Sequence, residues 1–317
     1  MTVTRVGAID CGTNSIRLLV ADLTVTPDGS TGEITDLDRR MVINRLGQGV
    51  DRTGRLAPEA LERTFAACRE YAAVLAEHEV GPDRLRFVAT SASRDAENSA
   101  EYTAGVREIL GVEPTVVSGD EEARLSFTGA TKELTGGQFP APYLVFDLGG
   151  GSTEFVLGGR DVEAARSVDI GCVRLTERHF AGSELPTPDQ VSRATADIRA
   201  ALDVAAEAVP LTAATTLVGL AGTVTTVAGI VLGLPSYDSE AIHHARLTVN
   251  QVREVAGRLL TMTHEQRAAI PVMHPGRVDV IGAGALVLRE IMERTGATEL
   301  VVSEHDILDG IAWSLVS

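Results

Sequence analysis

Ile9-Asp10-Cys11-Gly12-Thr13-Asn14-Ser15 is answered 137 residues later by Phe146-Asp147-Leu148-Gly149-Gly150-Gly151-Ser152. Each stretch follows an apolar run (Val6 to Ile9; Tyr143 to Phe146) and precedes another (Ile16 to Val20; Phe155 to Leu157). Both therefore read as strand, tight Gly-rich turn, strand, with one Asp closing the first strand. Glycine has no side chain and adopts positive φ readily, so such a turn lets several backbone N–H groups point together at an anion. An Asp beside the turn repels phosphate, but it holds the hydrated Mg²⁺ that phosphate brings with it. Two hairpins of this kind on either side of a cleft would clamp a chain of phosphates and its metal.

Outward from these turns the chain spells one pattern twice. Val3 to Asp10, Ser15 to Asp22 and Ile34 to Leu46 read as strands, with Pro27-Asp28-Gly29 as a turn. Ala57 to His78 is an amphipathic helix with Pro58 at its start. Strand Arg86 to Ala89, helix Ala96 to Leu110, strand Pro114 to Val117 and a helix from Ser118 to about Leu134 complete the first half. Gly136-Gly137-Gln138-Phe139-Pro140-Ala141-Pro142 reads as a linker. Three strands then open the second half (Tyr143 to Asp147, Ser152 to Gly158, Val162 to Asp169). Helices are expected over Cys172 to Phe180, Pro188 to Ala208, Gly222 to Leu232, Asn250 to Thr261 and Arg277 to Arg294. Strands Thr216 to Leu220 and Glu299 to Val302 and a closing helix Ile307 to Leu315 finish it. A duplicated βββαβα unit follows, in the α/β class. The domains are placed at 1–130 and 131–317, with the last helix able to pack back on the first.

Composition narrows the function. The 317 residues carry a net charge of −16, and Lys132 is the single lysine among 28 basic residues. No basic stripe exists and aromatics are scarce, which argues against a nucleic-acid face. A polyanion must be drawn by a local Arg cluster, because bulk repulsion is screened beyond roughly 8 Å at physiological salt. The three cysteines, Cys11, Cys68 and Cys172, lack metal-ligand spacing, and the odd count suits a reduced, cytoplasmic chain. Ala208 to Tyr237 carries no charge, yet Pro210, the glycines and the threonines break it into strand, turn and helix. No membrane span is expected.

Arg94, in the turn Ser91-Ala92-Ser93-Arg94, is the leading phosphate-binding cation, against a surface Arg pairing Asp95 or Glu97. Arg17 and Arg174 rank second. Thr13, Asn14, Ser15, Gly149, Gly150, Gly151 and Ser152 would donate amides and hydroxyls to phosphate. Asp10 and Asp147 would hold Mg²⁺, with Mn²⁺ as substitute, against the alternative of each Asp bonding its own turn. Glu121 opens a helix just after Ser118-Gly119, aimed at the cleft or simply favoured there by the helix dipole. Glu122, about 100° further round, is expected in solvent. Adjacent His243 and His244 are expected to face different ways, and no metal site is expected there.

These segments resemble the actin, Hsp70 and sugar-kinase superfamily, whose late Gly-rich turn is matched by Val218-Gly219-Leu220-Ala221-Gly222-Thr223. More specifically the chain resembles the exopolyphosphatase and guanosine pentaphosphate phosphohydrolase family. The resemblance rests on residues 8–15, Val88-Ala89-Thr90-Ser91-Ala92-Ser93-Arg94-Asp95-Ala96, Val117-Ser118-Gly119-Asp120-Glu121-Glu122-Ala123-Arg124 and residues 147–154. Asp169-Ile170-Gly171-Cys172-Val173-Arg174-Leu175 and Arg277-Val278-Asp279-Val280-Ile281 extend it. It implies two actin-like (ribonuclease H-like) domains, Glu121 as general base, and Glu154 as its partner carboxylate and a further metal ligand. Gly222 and Thr223 would line the wall where nucleotide-using relatives place their base. It also implies a homodimer. The family's Gly-Leu-Arg segment near the last strand is replaced by Ser303-Glu304-His305-Asp306-Ile307-Leu308. The helical C-terminal domains of longer relatives are not matched, which points to short chains. The expected activity is metal-dependent release of terminal phosphate from inorganic polyphosphate, with guanosine pentaphosphate as the alternative substrate. An ATP-dependent kinase and a non-catalytic alarmone sensor are the more distant readings.

Overall fold

The computed structural model describes residues 2–25, 32–132, 134, 139–182 and 185–316. The expected turn at Pro27-Asp28-Gly29 and the start of the linker at Gly136-Gly137-Gln138 lie outside them. The chain divides into two compact units, Met1–Gly129 with Ile307–Ser317, and Ala130–Asp306. The second unit therefore ends at Asp306, and the closing helix belongs to the first.

In the first unit β1 (Thr2–Cys11), β2 (Ile16–Val25) and β3 (Gly32–Val42) form an antiparallel meander. β4 (Leu85–Ala89) and β5 (Thr115–Val116) lie parallel to β1 on its other side, giving the order β3-β2-β1-β4-β5. Alternation decides which face each residue takes. Ile9, Ile16, Leu18 and Phe87 pack under helices Pro58–Glu77 and Ser99–Leu110 with Tyr71, Val74, Tyr102 and Val106. Val6, Ala8, Leu19 and Leu23 face the other way and meet Leu308, Ile311 and Trp313 of the closing helix Ile307–Trp313. Gly310 lets the same helix come close to helix Gly119–Thr131, since a Cβ there would overlap the Leu125 carbonyl.

The second unit repeats the plan with one added edge strand. β6 (Tyr143–Leu148), β7 (Thr153–Gly158) and β8 (Val162–Val168) form the meander. β9 (Thr216–Leu220) lies parallel to β6, then β11 (Glu299–Val302) parallel to β9, with β10 (Arg246–Thr248) antiparallel at the edge. Helices Pro188–Ala208 and Val249–Thr261 start at capping boxes formed by Thr187 with Gln190 and Thr248 with Gln251. Helices Ala221–Leu232 and Ile281–Thr295 complete the core around Phe146 and Phe155.

Three expected helices break or begin elsewhere. The helix expected over Ala96–Leu110 begins at Ser99, and a separate short helix, Ser91–Asp95, precedes it. There Asn98 turns its amide onto the backbone of Leu56, accepting from its N–H at 2.8 Å and donating to its carbonyl at 3.1 Å. The helix expected from Arg277 starts at Ile281, leaving Arg277 on a short 3₁₀ turn. Cys172–Phe180 is helical, but Thr176–Phe180 winds as a π-helix. Among the described residues no helix is long and apolar enough to cross a membrane.

Candidate active site

The first hairpin joins β1 to β2. Gly12 N–H donates to the Ser15 carbonyl at 2.9 Å and closes the turn. The Thr13 and Asn14 carbonyls accept from Gly47 N–H (2.8 Å) and Arg45 N–H (3.1 Å). In a trans peptide the C=O and the next N–H point to opposite sides. The Asn14 and Ser15 amides therefore face away from the 45–47 segment, as an anion cradle requires. Thr13 is buried and its hydroxyl lies 2.9 Å from that of Ser91. Asp10 pairs across the strands with Arg17, and its Oδ2 accepts from Arg17 Nη2 (2.7 Å) and Nε (3.1 Å). The buried Asp10 charge is thus balanced from within the hairpin, and Arg17, ranked as a phosphate cation, is engaged in that pairing.

The second hairpin joins β6 to β7 and is closed by the equivalent bond, Gly149 N–H to the Ser152 carbonyl at 3.1 Å. Its carbonyls are also tied back. Gly149 O accepts from Cys172 N–H (3.1 Å), and Gly150 O from Val173 and Arg174 N–H (2.9 and 3.1 Å). Gly151 O accepts from Arg174 Nε at 2.7 Å. By the same peptide geometry the Gly150, Gly151 and Ser152 amides face the opposite side. Arg174, the other second-rank cation, is a clamp on this turn. Gly171 makes the arrangement possible, because a Cβ there would overlap the Gly150 backbone.

Asp147 faces Glu154 directly across β6 and β7, and the two are 7% and 1% exposed. Glu154 Oε1 accepts from the Ser167 hydroxyl at 2.7 Å, with Ser167 opposite it on β8. Opposed carboxylates out of water repel each other, and a cation between them relieves this. Among the described residues no group of three or more His, Cys, Asp or Glu gathers as a metal shell. A pair of carboxylates completed by water and phosphate oxygens is nevertheless how Mg²⁺ is commonly held. The residues fit that ion.

Arg94 sits in helix Ser91–Asp95, whose entry is tied to the first hairpin by Thr90 N–H donating to the Cys11 carbonyl. Its Nη1 donates to the Val117 carbonyl (2.9 Å) and reaches Glu122 Oε2 at 3.4 Å. Glu122 is only 8% exposed, so it is not the solvated residue expected from the sequence; helix Gly119–Thr131 turns it toward Arg94. Glu121 is the more open of the two, its side chain 45% exposed and paired with Arg86 Nη2 at 2.8 Å. Its amide is capped by the Ser118 hydroxyl at 3.2 Å.

At the end of β9, Arg277 lies flat against Gly222. Its Nη1 donates to the Gly222 carbonyl (2.9 Å) and lies 3.1 Å from Thr226 Oγ1, and any Cβ at Gly222 would overlap the guanidinium. Gly222 therefore seats an arginine, and Thr223 is buried beside it against Gly284. The histidine pair is also corrected. His244 takes a left-handed φ of 62°, which swings its ring onto that of His243 at a centroid distance of 3.7 Å. Arg86, Arg277, Gly171 and Ser167 were not singled out as site residues in the sequence. Their partners in the site lie 13 to 55 residues away, and Arg86 also reaches Ser314, 228 residues on, beyond any local pattern.

The model of the Ppx/GppA phosphatase family matches residues 25–317. The chain belongs to that family. It is 52% identical to Exopolyphosphatase 2 of Mycobacterium tuberculosis over 99% of both chains. Among solved structures it is similar to an exopolyphosphatase-like protein (43% identity, TM-score 0.90, 97% of each chain covered). It is also similar to the Ppx/GppA family member of Aquifex aeolicus (30% identity, TM-score 0.79, 99% of this chain and 98% of that one). The two repeated α/β units are the family's actin-like fold.

Proposed function

We propose that this protein is an exopolyphosphatase that hydrolyses the terminal phosphoanhydride of short inorganic polyphosphate with Mg²⁺. The observation that carries the reading is the second hairpin, where outward amides stand beside two buried, opposed carboxylates. Such a site is built for phosphate oxygens and a divalent cation together.

In the second unit the Gly150, Gly151 and Ser152 amides bind phosphate oxygens, and Arg174 keeps their carbonyls turned away. Asp147 and Glu154 would hold Mg²⁺, which when bound neutralises charge on the phosphate oxygens. Asp10, already balanced by Arg17, is the weaker of the expected metal ligands. In the first unit Arg94 binds phosphate, with Glu122 and the Val117 carbonyl fixing its guanidinium. Glu121 accepts the proton of the attacking water as that oxygen bonds to the terminal phosphorus. The bridging P–O bond breaks, and the shortened chain leaves with its oxygen anionic. Arg86 orients the Glu121 carboxylate for this. A cytoplasmic homodimer is the proposed setting, supported by the family resemblance and by three buried free thiols.

The test is phosphate release from tripolyphosphate, long polyphosphate, guanosine pentaphosphate and ATP, with Mg²⁺ and with EDTA. Fastest release from tripolyphosphate, lost in EDTA and in Glu121→Gln, is the expected result. Preference for guanosine pentaphosphate would reassign the substrate. Glu121→Gln turning over within a few-fold of wild type would remove the base.

A further inference from the structure

A fixed carboxylate stands on the same sheet edge as the second hairpin. β6, β9 and β11 are parallel, so Asp147, Gly222 and the segment after Val302 all lie at their carboxyl ends, where α/β sheets bind ligands. Ser303 N–H donates to the Gly219 carbonyl at 3.0 Å, tying this segment to β9. Its hydroxyl donates to the His305 carbonyl (2.8 Å) and accepts from His305 N–H (3.1 Å), closing a tight loop around Glu304. Glu304 N–H donates to His243 Nδ1 at 3.1 Å. Its Oε1 accepts from the Tyr237 hydroxyl at 2.6 Å, whose oxygen lies 3.0 Å from Thr225 Oγ1 near the start of helix Ala221–Leu232. Burial first, and then the neighbouring Glu304 charge, push the Tyr237 phenol up, so it stays a donor.

An ordinary surface glutamate swings into water and is screened; this one is pinned at main chain and side chain. Each further phosphate of a longer chain adds negative charge that such a carboxylate repels. We propose that Glu304, held by Tyr237, is a specificity-determining residue that disfavours long polyphosphate and so selects short chains. The proposal rests on the phosphohydrolase reading above.

The experiment measures kcat/KM for tripolyphosphate and for long-chain polyphosphate in wild type, Glu304→Gln and Tyr237→Phe. Gln keeps the shape of Glu and still accepts from Tyr237. Glu304→Gln should raise the long-to-short ratio of kcat/KM about fivefold at low salt, mainly through KM. Tyr237→Phe, which removes one of the partners of the carboxylate, should move it the same way by less. The difference from wild type should shrink as salt is added. A ratio unmoved by Glu304→Gln in active enzyme overturns this inference alone, as does a change that salt does not attenuate. No phosphate release by wild type from either substrate would overturn both readings.

Discussion

The hairpins at Asp10–Arg17 and Asp147–Glu154 share a closing hydrogen bond, a set of carbonyls tied to a following segment, and an Asp at the end of the first strand. They differ in the residue facing that Asp. Arg17 sets a cation opposite the first Asp, whereas Glu154 sets a second carboxyl opposite the second. Duplication thus preserved the anion cradle while dividing the electrostatics. The first hairpin sets a cation of its own beside its Asp, and the second sets a carboxyl there, which accepts from the Ser167 hydroxyl. In one scaffold the same turn is thus built around two different charge patterns.

The largest consequence falls on turnover. Glu154→Gln and Asp147→Asn should each lower kcat by roughly a thousandfold, the scale of losing a principal electrostatic group. Without metal the same variants should melt higher than wild type, since a like-charge contact is relieved. Wild type should gain thermal stability on adding Mg²⁺, and Glu154→Gln should lose most of that gain. Melting curves with Mg²⁺ and with EDTA measure this. Equal Mg²⁺ responses in both proteins would place the metal elsewhere.

Arg17→Ala should behave oppositely, acting on stability with or without metal. Removing one partner of a largely buried pair leaves the other charge stranded and costs about 3 kcal/mol. Urea denaturation followed on the first unit would register it. Arg17→Glu sharpens the contrast, because it writes the second hairpin's charge pattern into the first. That variant should acquire Mg²⁺-dependent stabilisation that wild-type Arg17 forbids.

Much of this was legible in the chain. The repeated Asp and Gly-rich turns with apolar flanks gave both hairpins, because turn chemistry and alternation are local. The helix at Pro188–Ala208 and the strands Thr216–Leu220 and Glu299–Val302 follow the predicted bounds. The short helical segments at Val50–Thr53, Ser239–Ile242 and His264–Ala268 escaped, since one turn leaves no periodicity to detect. The contrast between Arg17 and Glu154 was readable in principle, because a closed turn fixes register and puts each opposite its Asp. Which of Glu121 and Glu122 is buried was not readable. It depends on where helix Gly119–Thr131 rests, a tertiary fact. The seat of Arg277 on Gly222 joins residues 55 apart and had no local sign either.

The glycines behind the turns offer a finer comparison. A Cβ at Gly171 would overlap the backbone of Gly150, which can give only if the turn itself moves. A Cβ at Gly47 would overlap the Thr13 methyl, a side chain that can rotate. Gly171→Ala should therefore cost about tenfold or more in kcat, and Gly47→Ala only a few-fold. Equal effects would mean that the two cradles are equally rigid.

The smallest effect expected is chemical silence. Cys11 lies one residue before the first turn and Cys172 packs behind the second, and both are buried. Burial pushes the Cys11 thiol well above its ordinary value, raises that of Cys172, and pushes Cys68 up to about 12. Only the thiolate attacks alkylating reagents, and at pH 8 a thiol with pKa near 12 is ionised about once in ten thousand molecules. Raising the pH through 9 should increase labelling little in the folded protein, whereas the unfolded chain should label fully. Mass spectrometry after brief iodoacetamide treatment reads each cysteine separately. If Cys172 were labelled in metal-free protein while Cys11 stayed protected, the second hairpin would be opening without its cation. Added Mg²⁺ should then suppress that labelling, because a cation bound by Asp147 and Glu154 stabilises the closed hairpin.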